Sequence, residues 1–80
     1  MPQFLYSLTY GTETKTVELR KSNPQGWLLQ AVETSFPEVA SRRAEDIMRL
    51  RLEKAVGRKQ AWQASLIDGA HDLIIQVSQV

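Results

Sequence analysis

The stretch EVASRRAEDIMRLRLEKAV, residues 38–56, decides the fold of this chain, because it can be read as a helix or as a strand. Most of its residue types are strong helix formers. Its small and apolar residues also recur at near-helical spacing: Ala40, Ala44, Met48, Leu52 and Ala55. In a helix, however, Leu50 would point away from this stripe and lie among arginines. The helical reading therefore leaves one large apolar residue without a core position.

The second half of that stretch alternates as a strand does. In residues 48–53, one parity is apolar and the other is charged: Met48, Leu50 and Leu52 against Arg49, Arg51 and Glu53. Successive side chains of a strand point to opposite faces, so a strand gathers the three large apolar residues on one face. The pattern favours a strand over 47–53, with a loop or a short helical turn over 38–45.

Residues 3–20 predict an N-terminal β-hairpin. The first run carries its aromatic and apolar residues on one parity: Phe4, Tyr6, Leu8 and Tyr10. The second run alternates through Val17 and Leu19, and a polar turn containing Gly11 joins the two runs. Alternation of this kind, broken by a short Gly-containing turn, is typical of two paired antiparallel strands.

One helix is expected between Pro24 and Phe36. Asn23 can cap the free N–H groups of the first turn, and Pro24 suits the first helical position. The apolar residues then follow at helical spacing: Leu28, Leu29, Val32 and Phe36. Because the residue before a proline disfavours the helical region, Pro37 marks the expected end of this helix.

The last third of the chain contains two turns and a closing strand. Gly57 marks one turn and Asp68–Gly69 marks the other, with a short apolar patch between them. The final strand places Leu73, Ile75 and Val77 on its inner side. The predicted core is as follows: Phe4, Tyr6, Leu8, Val17, Leu19, Leu28, Val32, Phe36, Leu50, Leu52, Leu66, Leu73 and Ile75. We expect one α+β domain over residues 1–80, with one helix packed on a mixed sheet of four or five strands.

The amino-acid composition limits which types of protein this chain can be. Eighty residues make one domain, and 42% apolar residues suffice for one small core. The chain contains no cysteine, which excludes disulfides and Cys-ligated metals and fits a reducing compartment. No signal peptide and no membrane span is recognisable. We therefore expect a cytoplasmic protein that does not contact a membrane.

The order of elements resembles the ubiquitin-like β-grasp family over most of the chain. QFLYSLTYGTETKTVELR is similar to the opening hairpin of that family, and NPQGWLLQAVETSF is similar to its single helix. IMRLRLEKAVGRKQ resembles the third strand with its turn, and LIDGAHDLIIQV resembles the closing turn and strand. Modifiers of this family that are conjugated to targets end in Gly-Gly, and this chain has no glycine after Gly69. The resemblance therefore implies the non-conjugated branch, whose members dock other proteins.

The resemblance also implies where docking occurs, namely on the outer face of the third and last strands. The corresponding positions are Arg49, Arg51, Ile74 and Gln76. Leu5, Ser7 and Thr9 complete that face. Independently of the resemblance, Trp62 follows the basic residue Arg58, and an exposed tryptophan beside a cation would be an interface hot spot. Arginine pairs with carboxylates in a planar, bidentate geometry, so two arginines beside Ile74 suggest a protein partner with an acidic groove. The alternative for the same residues is a solvated strand face, and for Trp62 it is core packing.

Catalysis, metal binding and cofactor binding are not expected. His71 is the single histidine, and Asp72 beside it would face the opposite side of a strand, where it is poorly placed to orient His71 in a catalytic triad. Asp68, His71 and Asp72 lack a fourth metal ligand. The four glycines are dispersed, so no phosphate-binding loop is present. The expected role is a non-enzymatic adaptor or regulatory module without a cofactor.

Nucleic-acid binding is the alternative function. Seven of the ten basic residues lie in the segment 42–59: Arg42, Arg43, Arg49, Arg51, Lys54, Arg58 and Lys59. Such residues can contact phosphates, and each contact adds to the salt dependence of binding. Three acidic residues interrupt the segment, and the net charge of the chain is only +1. The alternative is therefore the weaker of the two.

Overall fold

The computed structural model describes residues 2–55, 57, 60–69 and 71–80. These residues form five strands and two helices: β1 (Gln3–Tyr10), β2 (Glu13–Arg20), α1 (Leu28–Ser35), α2 (Pro37–Arg49), β3 (Glu53–Lys54), β4 (Ala61–Asp68) and β5 (His71–Gln79). A short 3₁₀ turn, Gln25–Trp27, precedes α1. The predicted α+β class and the N-terminal hairpin are confirmed.

The five strands form one sheet in the order β2-β1-β5-β4-β3, and every neighbouring pair is antiparallel. The predicted mixed sheet is therefore wrong. The first and last strands are neighbours at the centre, where Tyr6 pairs with Val77 and Leu8 pairs with Ile75. Gly11 and Gly69 both adopt positive φ angles, 64° and 63°, in the tight turns that join β1 to β2 and β4 to β5. Glycine adopts this conformation without the steric cost that a side chain imposes.

Both helices cover the same face of the sheet, which we call the inner face. The core combines residues of both layers: Phe4, Tyr6, Leu8, Leu28, Ala31, Val32, Phe36, Val39, Ala40, Ile47, Leu73, Ile75 and Val77. Each of the predicted core residues is buried or packs half-buried against this cluster. The Tyr6 hydroxyl donates to the Pro24 carbonyl at 2.7 Å, so the one polar atom of that fully buried side chain has a partner.

The structure has two helices, and the prediction of a single helix is wrong. Pro37 does end α1, as expected, because Ser35 is the last residue of that helix. It also begins α2, since proline at the first position of a helix needs no N–H partner and has a suitable φ. Pro37 therefore separates two helices. The sequence pattern predicted only the first of them, followed by an irregular segment.

The strand predicted over 47–53 is also wrong, and so is the loop over 38–45. Residues 47–49 complete α2, and only Glu53 and Lys54 pair with β4. The apolar stripe of α2 consists of Val39, Ala40 and Ile47, whereas Met48 is 67% exposed. Leu50 and Leu52 reach the core from an extended segment after the helix. The alternation in the sequence therefore arises from two elements that meet near Leu50.

Residues 61–68, from which only a short apolar patch was expected, form a full strand. β4 pairs with β5 over its whole length, from Ala61 with Ser78 to Asp68 with His71. Its inner side carries Trp62 and Leu66, which pack half-buried against the core. Small and polar residues occupy most of its other positions, which explains why the sequence signal for a strand was weak.

Candidate functional site

The face of the sheet opposite the helices, which we call the outer face, is uncovered in the described part of the chain. Two cross-strand rows run across its centre. One row contains Ser7, Gln76 and Gln63, and the other contains Thr9, Ile74 and Ser65. All of these side chains are exposed or half-buried. The charged residues of this face lie toward its margins: Glu18, Arg20, Glu53 and Asp72. Its centre is thus uncharged and accessible.

Two isoleucines form the apolar part of the outer face. Ile67 is 73% exposed and Ile74 is 42% exposed. Ile74 pairs with Ser65, and Ile67 lies two residues further along β4, so the two isoleucines are diagonal neighbours. Side chains at this diagonal separation are close enough to be covered together by one partner group. Exposed apolar side chains that adjoin one another are typical of interaction surfaces.

A shallow depression of about 200 Å³ lies on the outer face beside these rows. Leu5, Ser7, Gln63 and Gln76 contribute to its lining. The two glutamines pair across β4 and β5, and each offers both donors and acceptors. Gln76 and Ile74 therefore lie where their strand parity predicted, on one accessible surface.

The predicted arginines do not lie on that surface. Arg49 is in the last turn of α2, with a side chain that is 76% exposed and only 4.0 Å from the Glu45 carboxylate. Arg51 follows in the extended segment before β3 and is exposed. The prediction that both arginines flank Ile74 depended on a strand over 47–53, which does not form. The sequence pattern therefore assigned Arg49 and Arg51 to a strand that the structure does not contain.

Trp62 belongs to the inner side of the sheet. Its ring meets the Phe4 ring edge to face, with centroids 5.8 Å apart and an interplanar angle of 76°. The side chain is half-buried at the margin of the core, as the packing alternative held. Arg58, which was expected beside it, lies outside the described residues.

A network around Asp68 connects α2 to the turn between β4 and β5. Asp68 is only 6% exposed and accepts hydrogen bonds from the Tyr10 hydroxyl at 2.7 Å, from Arg42 at 3.0 and 3.2 Å, and from Arg43 at 2.9 Å. Arg43 also donates to the Ile67 carbonyl and to Asp46. The bonds from Tyr10 and Arg42, followed by that from Arg43, lower the pKa of Asp68 to about 2, although burial opposes the shift.

The structure shows which side chains contact Asp68 and which sides of β5 His71 and Asp72 face. The sequence identified Asp68 as a turn residue or a weak metal ligand, and the structure places two cations and a phenol on its carboxylate. His71 pairs with Asp68 across the strands, whereas its neighbour Asp72 pairs with Ile67 on the outer side. His71 and Asp72 therefore face opposite sides of β5, as predicted. No group of acidic and histidine side chains in the described ranges is arranged to hold a metal ion.

A cleft of about 480 Å³ adjoins this network, between the β1–β2 turn and the junction of α1 with α2. We call it the junction cleft. Lys15, Ser35, Val39, Arg42 and His71 are among the residues that line it. The His71 ring packs edge to face on Tyr10, with centroids 5.4 Å apart. Sequence patterns could not find this cleft, because its residues come from five elements spread along the chain, from β1 to β5.

Within the described residues, no helix is long and apolar enough to cross a membrane. Comparison with known proteins finds no matching family model, no similar curated protein and no similar solved structure. The function of this chain is therefore argued from its own residues.

Proposed function

We propose that this chain is a non-enzymatic adaptor or regulatory module that docks a protein partner through the outer face of its sheet. The observation that carries the proposal is the adjacent pair Ile67 and Ile74, exposed on a sheet face that neither helix covers. Covering two isoleucines removes apolar surface from water, which favours association. The surrounding hydroxyl and amide groups supply hydrogen bonds that fix the orientation of a partner.

The partner is a protein surface with an apolar centre and uncharged polar groups around it. This chemistry matches the rows through Ser7 and Thr9, whose neighbours on β5 are Gln76 and Ile74. Arg49 and Arg51 lie at the end of α2, away from this surface, so the acidic groove that was expected opposite them is not part of the proposal.

The resemblance to the non-conjugated ubiquitin-like branch remains a proposal. The N-terminal hairpin and the last strand, on which the resemblance partly rests, are neighbours in the sheet through β1 and β5. The second helix and the fully antiparallel pairing differ from the predicted arrangement, so a β-grasp fold is not confirmed. A cytoplasmic location likewise remains a prediction from the sequence alone.

Substitutions on the outer face and at the end of α2 test the proposal. The chain, used as bait, captures a partner from its native source, and the captured protein is then purified. We expect Ile67→Lys with Ile74→Lys to abolish binding of that purified protein, because two charges would replace the apolar centre. The matched control, Arg49→Glu with Arg51→Glu, changes two exposed residues near the end of α2 and should retain most of the binding.

Circular dichroism and the urea midpoint establish that both double variants are folded. Exposed positions tolerate such changes with small effects on stability. If the lysine variant binds normally, the outer face is not the docking surface. If the glutamate variant alone loses binding, the docking surface is the end of α2.

Nucleic-acid binding through segment 42–59 is the alternative, and the structure offers it less support. Arg42 and Arg43 both contact Asp68, and Arg49 lies near Glu45, so these cations have acidic neighbours. A mobility-shift assay at low salt tests the alternative directly. A shift that weakens as salt is added would favour it over protein docking, because phosphate contacts release counterions.

A further inference from the structure

The edge strand β2 has one row of backbone groups without a strand partner among the described residues. β2 pairs with β1 alone, and their ladder ends at the pair of Gln3 with Arg20. One step further, the Lys21 amide donates to the Pro2 carbonyl at 3.2 Å. Hydrogen-bonded pairs alternate along an antiparallel ladder, so the odd-numbered residues of β2 bond to β1. The N–H and C=O groups of the even-numbered residues point to the open edge: Thr14, Thr16, Glu18 and Arg20.

A free edge of this length can pair with another strand. β2 has eight residues, whereas β3 at the opposite edge has two, which offers a partner few backbone groups. Beyond β3, Arg43 lies at the margin of β4 and donates to the Ile67 carbonyl at 3.0 Å. The described sheet therefore has one long edge available. Two copies that meet through it use the same surface on both sides and leave no second long edge, so association stops at two.

The side chains of β2 are complementary to those of a second copy. A two-fold axis perpendicular to the sheet makes the two strands antiparallel and places residues of equal parity opposite each other. In the register that places Val17 opposite Val17 of the second copy, Glu13 lies opposite Lys21, and this ion pair occurs twice. Thr16 then lies opposite Glu18, so a hydroxyl donor meets a carboxylate. Opposite charges and paired β-branched side chains both stabilise such a ladder.

The other registers with the same symmetry are less favourable. Centring the pair on Lys15 or on Glu18 places like charges directly opposite each other, which destabilises a sheet. Centring it on Thr16 places Glu13 opposite Leu19 and removes both ion pairs. Centres nearer either end of β2 pair fewer residues. The charges of β2 therefore select one register.

The two members of the ion pair are available to a second copy. The Lys21 Nζ lies 3.9 Å from the centre of the Trp27 ring, and no ion pair of Lys21 is described within its own subunit. Glu13 lies 3.9 Å from Lys15, at the limit of an ion pair, and its side chain is 67% exposed. An exposed glutamate side chain changes rotamer readily, so its carboxylate can reach the second copy.

We propose that two copies of this chain associate through antiparallel β2 strands centred on Val17. The dimer then has one continuous sheet with five strands from each copy. Because the two-fold axis is perpendicular to that sheet, both outer faces lie on the same side, and Ile67 and Ile74 of each copy remain uncovered. The dimer presents two docking surfaces to one partner assembly. The pairing itself does not depend on docking at the outer face.

Sedimentation equilibrium of the purified chain tests the proposal. We expect the average mass to rise with concentration from that of one chain to that of two, and no further. Hydrogen exchange at the four even-numbered amides of β2 should slow over the same concentration range, because pairing gives them acceptors. A chain that stays monomeric up to millimolar concentration would overturn the proposal. A dimer in which these four amides stay unprotected would overturn it as well.

A proline substitution tests whether the open edge carries the contact. Thr16→Pro removes an N–H that points to the edge and leaves the hydrogen bonds between β2 and β1 in place. It should leave the chain monomeric at every concentration. The matched control, Thr16→Ala, keeps the N–H and should dimerise as the wild type does. Circular dichroism establishes that both variants are folded, and a folded proline variant that still dimerises would contradict the proposal.

Charge variants test the register without proline. Glu13→Lys and Lys21→Glu should each weaken dimerisation about 10-fold, because each places like charges opposite each other at both symmetric positions. The variant with both substitutions restores opposite charges and should recover most of the affinity. No recovery would contradict the register. Ile67→Lys with Ile74→Lys should leave the dimer unchanged, so failure of docking at the outer face is distinguishable from failure of dimerisation.

Discussion

At the scale of single residues, Asp68 illustrates how one carboxylate connects three elements. Tyr10, Arg42 and Arg43 come from β1 and α2, and each donates to this side chain. The sequence showed Asp68 only as half of an Asp-Gly turn. Its partners lie 25 to 58 residues away along the chain, so no local pattern could reveal them.

Asp68→Asn should lower the stability of the protein and reduce its dependence on pH. The folded protein holds the pKa of Asp68 at about 2, below its usual 3.8, so folding favours the ionised form. That contribution is complete above the usual pKa and is lost as the pH falls toward the folded value. Urea unfolding from about pH 5 to about pH 2 should therefore show a steeper decline in the wild type than in the variant.

Asp72→Asn is the matched control for that measurement. Asp72 is exposed on the outer side of the adjacent strand, and no ion pair to it is described. Its removal should change the urea midpoint little at any pH. Equal effects of the two variants would mean that the Asp68 network does not contribute to stability.

Ser35→Ala should stabilise the protein. The substitution removes an unsatisfied buried hydroxyl, whose cost is about 1 kcal/mol, and alanine is also the better helix former. Ser41→Ala, at an exposed position of α2, gains only the helix propensity and serves as the control. Urea denaturation compares the two. A loss of stability in Ser35→Ala beyond the control would show that the hydroxyl has a partner in solution.

At the scale of elements, the side of α2 that is buried distinguishes the observed helix from the strand that the sequence favoured over 47–53. Ile47 is fully buried, whereas Met48 is 67% exposed. We expect Ile47→Ala to cost about 2–5 kcal/mol and Met48→Ala to cost less than about 0.5 kcal/mol, both measured by urea denaturation. A strand over 47–53 with Met48 on its inner side would reverse this order.

The Gln25 side chain makes hydrogen bonds to the backbone of the segment after α2, as a neighbouring strand would. Its amide nitrogen donates to the Leu50 carbonyl at 2.6 Å, and its oxygen accepts from the Leu52 amide at 2.7 Å. Gln25→Ala should speed hydrogen exchange at Leu52 about 5-fold, because one hydrogen bond contributes roughly 1 kcal/mol. Gln30→Ala, on the exposed side of α1, is the control and should leave this amide unchanged.

The elements that the sequence predicted correctly are those with one dominant period. β1, β2 and β5 alternate with period two around large apolar residues, and α1 carries apolar residues at helical spacing. In contrast, α2 is kinked at Arg43, whose φ and ψ angles are not helical. The apolar residues after Ile47 are divided between the end of α2 and the extended segment that follows it. Its helical period and the alternation after Ile47 compete within a few residues, so local patterns could not separate them.

The same reason explains which parts of the candidate site were predictable. Ile74 and Gln76 were placed correctly because they belong to a strand with clear alternation. Arg49 and Arg51 were misplaced because their element was misassigned. The junction cleft depends on which elements become neighbours in the fold, and no spacing along the chain encodes that.

At the scale of the whole molecule, the order of strands predicts the order of local stability. β1, β5 and β4 are the inner strands, with β1 and β5 paired to each other, and β2 and β3 are the edges of the sheet. Each strand amide donates to one neighbouring strand, and an amide bonded between β1 and β5 exchanges only when the middle of the sheet opens. Native-state hydrogen exchange should therefore be slowest at positions such as Ser7 and Gln76 and fastest in β3. Slow exchange in β3 with fast exchange in β1 would contradict this topology.

The central pairing of β1 with β5 also makes this domain suitable for insertion into another protein. Phe4 pairs with Gln79, and the Val80 amide donates to the Gln3 carbonyl at 2.8 Å. A host loop that carries the domain would need to open by only about 5 Å, the distance between paired strands. Conformational changes in the sheet would then be transmitted directly to the two ends of the host loop, which is the geometry that an engineered sensor requires.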